Sequence, residues 1–273
     1  MFVNRRFVDG WGDKLDKERD IIVITGGSSG LGLKLSALFA VNGYQVVVLD
    51  VKEPDQLVVN VAYRKCDVSR EEHVKAVCEA IVQTGKSIVL INNAGIAYGK
   101  RILDMDSEEI EKTIDVNLKS SFWTIRSFLP TMLKQRRGYI VTVSSVLGYI
   151  GPGGLTAYSA SKGGLNTFHD SLTHELDSKS GVRTLLVTVG QMETEMFSRV
   201  ETPSKFLAPV LQTTEVALKV FEAVENGACG ELSMPLYARL IHWTKLTPQS
   251  LVNWIRQTYG MDNSALNMSK KTD

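Results

Sequence analysis

The chain has 273 residues, 44% of them hydrophobic and 22% charged, with a net charge of +1. This composition suits a single soluble α/β domain with a sizeable core. It excludes the strong field that would recruit nucleic acid or acidic partners.

From residue 21 onward, apolar strand-like runs alternate with helical stretches. Ile21 to Thr25 leads into a glycine-rich turn and a helix from about Leu31 to Asn42. Strands then follow at Gln45 to Asp50 and Val61 to Cys66, with a helix from about Arg70 to Thr84. A strand at Ser87 to Ile91 precedes one long helix, about Ser107 to Gln135. Next come a strand at Tyr139 to Ser144, a helix from about Leu155 to Asp177 and a strand at Arg183 to Val189. A helix at Thr213 to Glu225 and a short strand near Glu231 to Met234 close the core. Strands this apolar, separated by helices, predict a doubly wound Rossmann-type parallel sheet covered on both faces. The link Val51 to Asn60 is short and carries Pro54, so it is expected to lack a helix. The expected organisation is an N-terminal extension (1–19), a catalytic nucleotide-binding domain (20–235) and a C-terminal extension (236–273) with a frayed polar tail from about Asn263.

No run reaches the ~18 apolar residues that span a bilayer, and Met1 to Asp20 is too polar for a signal peptide. The expectation is a cytoplasmic protein, attached at most peripherally to an intracellular membrane. Cys66, Cys78 and Cys229 are scattered and form no CxxC pair, which fits a reducing compartment. His73, His169, His174 and His242 show no metal spacing, so structural or surface roles and no metal are expected.

The segment Thr25-Gly26-Gly27-Ser28-Ser29-Gly30-Leu31-Gly32 follows a strand and opens a helix. Gly26 permits the tight turn, Gly30 lets backbone approach a pyrophosphate, and Gly32 allows close packing. The helix N-terminus offers unpaired N–H groups to the phosphates, and Ser28, Ser29 and Leu31 are taken with the glycines as cofactor-lining. Asp50 ends the second strand, where a carboxylate binds a ribose 2′-hydroxyl and repels a 2′-phosphate; NAD is therefore favoured. Lys52, two residues on, keeps NADP open.

Tyr158 and Lys162 are four apart on a helix and share a face. An ammonium beside a phenol favours the phenolate and lowers its pKa, as a general acid/base requires. Ser145, at a strand's C-terminal end, is placed to hydrogen-bond a reacting oxygen. Together with Asn92-Asn93-Ala94-Gly95 and Asn117, these motifs stand in the order and at the spacings of the short-chain dehydrogenase/reductase family, which residues 20 to 235 resemble. The resemblance implies that Gly26, Gly30 and Gly32 cradle the pyrophosphate, Asp67 and Val68 hold the adenine, and Asn92, Ala94 and Gly95 line the cofactor floor. It implies a tetrad of Asn117, Ser145, Tyr158 and Lys162, with Tyr158 moving the proton and Ser145 orienting the substrate. Lys162 would also bind the nicotinamide ribose, Asn117 would anchor a water, and Thr194 would hold the carboxamide. Where the family usually has Pro-Gly after the sixth strand, this chain has Val189-Gly190.

Met196, Phe197, Phe206, Leu207, Val210 and Leu211 make the segment after Thr194 apolar. Leu236 to Trp243, continuing through Leu251 to Trp254, mixes apolar, aromatic and basic residues and resembles the family branch that acts on retinoids, steroids and other lipid alcohols at membranes. A hydrophobic alcohol or ketone is the expected substrate. Surface attachment to a membrane through this stretch and packing of the same stretch on the core are both open. The helices ending near Lys134 and starting at Leu155 resemble those that pair in the family, implying a homodimer or homotetramer. The rival readings are an NADP-dependent reductase of small ketones, a non-catalytic nucleotide-binding regulator, which would be expected to lose Ser145, Tyr158 or Lys162, and a scaffold.

Overall fold

The computed structural model describes residues 14–177, 179–197, 209–241 and 247–258. Seven parallel strands form one sheet in the order β3-β2-β1-β4-β5-β6-β7. They are β1 (Asp20–Thr25), β2 (Gln45–Asp50), β3 (Val61–Lys65), β4 (Ser87–Asn92), β5 (Gly138–Ser145), β6 (Val182–Val189) and β7 (Gly230–Met234). The helices are α1 (Gly30–Val41), α2 (Glu71–Val82), α3 (Ser107–Ile114), α4 (Ser120–Gln135), α5 (Thr156–Glu175), α6 (Thr213–Glu225) and α7 (Gln249–Thr258).

β1, β4, β5 and β6 are buried along their whole length, because both faces of a parallel sheet are covered. Alternation divides their side chains into two cores. Ile22, Ile24, Val89 and Ile91 face the core that includes Leu35 and Phe39 of α1 and Val220 and Phe221 of α6. Ile21, Val23, Ile88 and Leu90 face the other, with Val74 of α2, Ile125 and Phe128 of α4 and Leu172 of α5. Each buried aliphatic side chain contributes roughly 1.5–3 kcal/mol.

The strand order reverses between β1 and β4, so a crevice opens at their C-terminal ends. At the opposite, N-terminal end of the strands Arg137 donates two hydrogen bonds to the Asp20 carboxylate, at 2.8 and 2.7 Å. The connection 51–60 has no helix, and β3 still pairs in parallel with β2.

One expected element is broken in two. The long helix over 107–135 is α3 and α4 joined by a π-helical segment, Asp115–Lys119, with Asn117 at its centre. The apolar period carries through this region, so the one-residue widening leaves no mark in it. The extensions also join the domain. Leu15 is buried in the first core and donates its N–H to Glu225 at 2.9 Å, while Ala238 and Ile241 pack on Val146. Residues 1–13 and the tail from Asn263 lie outside the described residues.

Candidate active site

The glycine-rich turn is shaped by close contacts. Gly26 has φ +64°, and a Cβ there would lie 2.7 Å from the Ala94 Cα. A Cβ on Gly32 would lie 2.2 Å from the Gly26 carbonyl oxygen. No side-chain oxygen caps α1 at Ser29, and its first turn holds no acidic residue, which suits an N-terminus that receives phosphate. Gly30 (φ +51°) faces the Thr194 methyl, which would stand 3.7 Å from a Cβ. Gly30 and Thr194, which follow β1 and β6, therefore meet across the crevice.

Asp50 turns towards the glycine loop. Its carboxylate accepts from the Ser28 N–H at 3.0 Å and the Lys52 N–H at 3.3 Å, and the Ser28 hydroxyl donates to the Lys52 carbonyl at 2.6 Å. Lys65 lies beside Asp50 in the sheet register. Asp67 accepts from the N–H and hydroxyl of Ser69, and Val68 is buried after β3.

The residues after β4 divide the work differently from the sequence expectation. The Asn92 side chain accepts from Thr124 of α4 at 2.8 Å, inside the protein. Its neighbour Asn93 was not among the expected site residues, yet it donates to the carbonyls of Thr25 and Gly26 at 3.0 and 2.9 Å. The Thr25 hydroxyl accepts from the N–H groups of Asn93 and Ala94. Asn93 and Thr25 thus lock β4's exit to the phosphate turn. The double asparagine in the motif was the available signal, but which of the two faces the turn depends on strand parity.

Ser145, Tyr158, Lys162 and Asn117 converge at the C-terminal end of β5, all buried. The π segment turns Asn117 towards the loop after β4. Its side chain accepts from the Ile96 N–H at 2.8 Å and donates to the Ile96 carbonyl at 2.9 Å and the Ser161 hydroxyl at 3.0 Å. The Asn117 side chain thereby clips the 94–97 segment onto α5. The Lys162 ammonium donates to the Val143 carbonyl at 3.0 Å and lies 5.9 Å from the centre of the Tyr158 ring. A Cβ on Gly95 would be 3.7 Å from that nitrogen and 3.5 Å from the Asn117 Oδ1.

Burial dominates the titration here. It pushes Tyr158 up to about 12, opposed by a hydrogen bond with the Ser145 side chain. It also pulls Lys162 down to about 8. Desolvation sets the direction for both groups, and the Lys162 ammonium is turned towards the Val143 carbonyl of β5.

The substrate side is apolar. Tyr158 and Leu155 are buried with Ala97, Leu147, Met196 and Phe197 against them, and the Phe197 ring meets the Tyr158 ring edge-on at 5.6 Å. The 191–197 segment is pinned to 211–213 by Glu193 N–H to Leu211 carbonyl (2.9 Å) and Thr213 hydroxyl to Glu193 carbonyl (2.7 Å). Phe206, Leu207, His242 and Trp243 lie outside the described residues. Of the other histidines, His169 is buried with Nδ1 2.8 Å from the Thr142 hydroxyl, and His174 is exposed near Asp170.

Comparison with known proteins adds to this geometry. Residues 20–205 match the short chain dehydrogenase family model. The chain belongs to the short-chain dehydrogenase/reductase family. An uncharacterized oxidoreductase of Saccharomyces cerevisiae, YDL114W, is 35% identical over 252 residues, which cover 88% of this chain and 82% of that protein. Human epidermal retinol dehydrogenase 2 is 35% identical over 218 residues, covering 75% and 71% respectively. A short-chain dehydrogenase from Streptomyces avermitilis shares the fold, with a TM-score of 0.72, 21% identity, and coverage of 89% of this chain and 99% of that one. As a member of this family, the chain is an oxidoreductase that uses a nicotinamide cofactor. The glycine cradle, the uncapped start of α1 and the Thr194 methyl facing Gly30 fit that cofactor.

Proposed function

We infer that the protein transfers a hydride between NAD and a hydrophobic alcohol or ketone, with Tyr158 as general acid/base. The observation that carries this reading is the buried Tyr158 phenol, set near Ser145 and Lys162 and roofed by Phe197 and Met196. The turn 26–32, with Asp50, Asp67, Val68, Asn92, Ala94, Gly95 and Thr194, would hold the cofactor, and Asp50 supports NAD over NADP. When bound, the cofactor supplies or accepts the hydride. Ser145 orients the substrate oxygen, and Tyr158 gives that oxygen a proton in reduction or takes one in oxidation. Asn117 fixes the loop that borders Lys162. The apolar roof favours substrates that bury surface there, as lipid alcohols and their ketones do.

The test is nicotinamide absorbance with NAD and with NADP against a panel of lipid and short polar alcohols and ketones. Turnover of short polar substrates alone would refute the substrate class.

Two partners accompany this reading. A second copy is proposed to dock on the α4–α5 face, where Phe122 and Phe168 pack 4.2 Å apart and line an apolar groove with Ile125, Leu129 and Gly164. Peripheral membrane contact is proposed for the C-terminal region. There Leu236, Leu240, Leu251 and Trp254 are exposed, the last by 62%, and Leu251 and Trp254 share one face of α7. Among the described residues no helix is long and apolar enough to cross a membrane. Liposome flotation that is unchanged by Leu251→Ser with Trp254→Ser would remove that contact.

A further inference from the structure

A second tyrosine reaches the substrate side from the turn after β7. Tyr237 lies in the 3-10 turn Leu236–Arg239 and packs, as Leu147 does, against the cluster of Val146, which follows Ser145 in the chain, with Ala238 and Ile241. Leu147 also belongs to the group around Tyr158 and Phe197, so the two tyrosines border one apolar region. The Tyr237 hydroxyl is set by Gly190, the residue after β6, where a Cβ would stand 2.7 Å from it. Val189 pairs in register with Ser145. Adjacent strands run about 4.8 Å apart and consecutive Cα atoms about 3.8 Å, which puts the Tyr237 hydroxyl within roughly 13 Å of the Ser145 Cα.

Among the described residues this hydroxyl has no hydrogen-bond partner. The side chain is half-buried and its hydroxyl is not sealed from water, so a ligand oxygen can take the place of that water. Burial pushes Tyr237 up to about 12, so the group remains a donor at ordinary pH. Val146, Ala238 and Ile241 on the Tyr237 side and Leu155, Met196 and Phe197 on the Tyr158 side, joined by Leu147, are apolar, so a ligand oxygen brought among them alone would be left unpaired.

We propose that Tyr237 is a specificity-determining residue whose hydroxyl donates to a second oxygen of the substrate, remote from the carbon that is oxidised or reduced. The proposal rests on the oxidoreductase reading above and narrows its substrate class to apolar alcohols and ketones that carry two oxygen functions.

The test uses the full chain and a matched pair of polycyclic ketones, one with and one without a second oxygen at the end opposite the reacting carbonyl. The wild type is expected to favour the dioxygenated ketone by about ten- to a hundredfold in kcat/KM. Tyr237→Phe is expected to bring that ratio to within about threefold of one, chiefly through KM. Gly190→Ala, which places a methyl against the Tyr237 oxygen and the Pro235 ring, is expected to collapse it in the same way. A merely structural hydroxyl would lower both substrates alike and leave the ratio intact, which overturns the proposal. So does a wild-type ratio near one, and in both cases the oxidoreductase reading stands. Turnover of neither ketone, in wild type that still quenches reduced-nicotinamide fluorescence on binding, overturns both.

Discussion

The two banks of the crevice are built in different ways. The cofactor bank is made of backbone held by backbone-directed bonds: Asn93 to the Thr25 and Gly26 carbonyls, the Thr25 hydroxyl to two amides, and the Ser28 amide to Asp50. The substrate bank is made of apolar side chains carried on short turns, with Phe197 against Tyr158 and Tyr237 against Gly190. Hydrogen-bonded backbone tolerates little change, because each displaced group loses a partner. Apolar contact tolerates substitution at a graded cost. Under the proposed function, one bank would fix the cofactor and the other would be free to vary with the substrate.

If this contrast is right, the largest effect should come from the residue where the banks meet. Tyr158→Phe removes the phenol hydroxyl and keeps the ring against Phe197. It is expected to lower kcat by about 10²–10⁴-fold while cofactor affinity, read by fluorescence titration, stays within about threefold. Undiminished turnover would overturn the mechanism. Gly32→Ala comes next, because its methyl would meet the Gly26 carbonyl oxygen at 2.2 Å and backbone must move. Cofactor affinity should fall by about a hundredfold with a lowered Tm, since a strained turn loses both phosphate contact and packing. An unchanged dissociation constant would mean that the turn is less rigid than its bonds suggest.

Two smaller effects separate the banks. Asp50→Ser removes the carboxylate beside the Ser28 amide, and the preference for NAD over NADP should fall about tenfold, read as the ratio of kcat/KM values. Phe197→Ala should raise KM for apolar substrates about tenfold and leave cofactor affinity unaltered, because the lost contact is apolar area alone. A change in cofactor affinity with Phe197→Ala would show that the banks are coupled.

The same contrast explains what could be read in the sequence. The strands, their parallel pairing and the glycine turn were legible because apolar runs and glycines follow local rules of period and turn chemistry. The helix-free link after Asp50 was legible from its length and from Pro54. The π segment at Asn117 was not, since a one-residue widening leaves the hydrophobic period nearly intact. The choice between Asn92 and Asn93 was hidden for a related reason: one residue of strand parity decides which faces the turn. On the substrate bank only composition was legible. Contacts such as Tyr237 on Gly190 join residues 47 positions apart (237 less 190), and no local pattern encodes them.

Lys162 gives the smallest expected effect, and burial sets its direction. The sequence suggested a cation that lowers Tyr158. In the folded protein desolvation instead pulls Lys162 itself down to about 8 and pushes Tyr158 up to about 12. In carbonyl reduction the protonated phenol is the required form, and it is present at every working pH, so it contributes no limb there. The charged form of Lys162, which supports the cofactor ribose in the proposed mechanism, is complete well below pH 8 and is lost as pH rises through that value. kcat/KM for the reduced cofactor reports groups on the free enzyme and should fall about threefold between pH 7.5 and 8.5. Lys162→Arg keeps the charge throughout that range and should flatten the profile even where its absolute rate is low. A wild-type profile flat to pH 9.5 would mean that Lys162 keeps its ordinary affinity for protons, and that the substrate bank admits more water beside Tyr158 than its apolar roof implies.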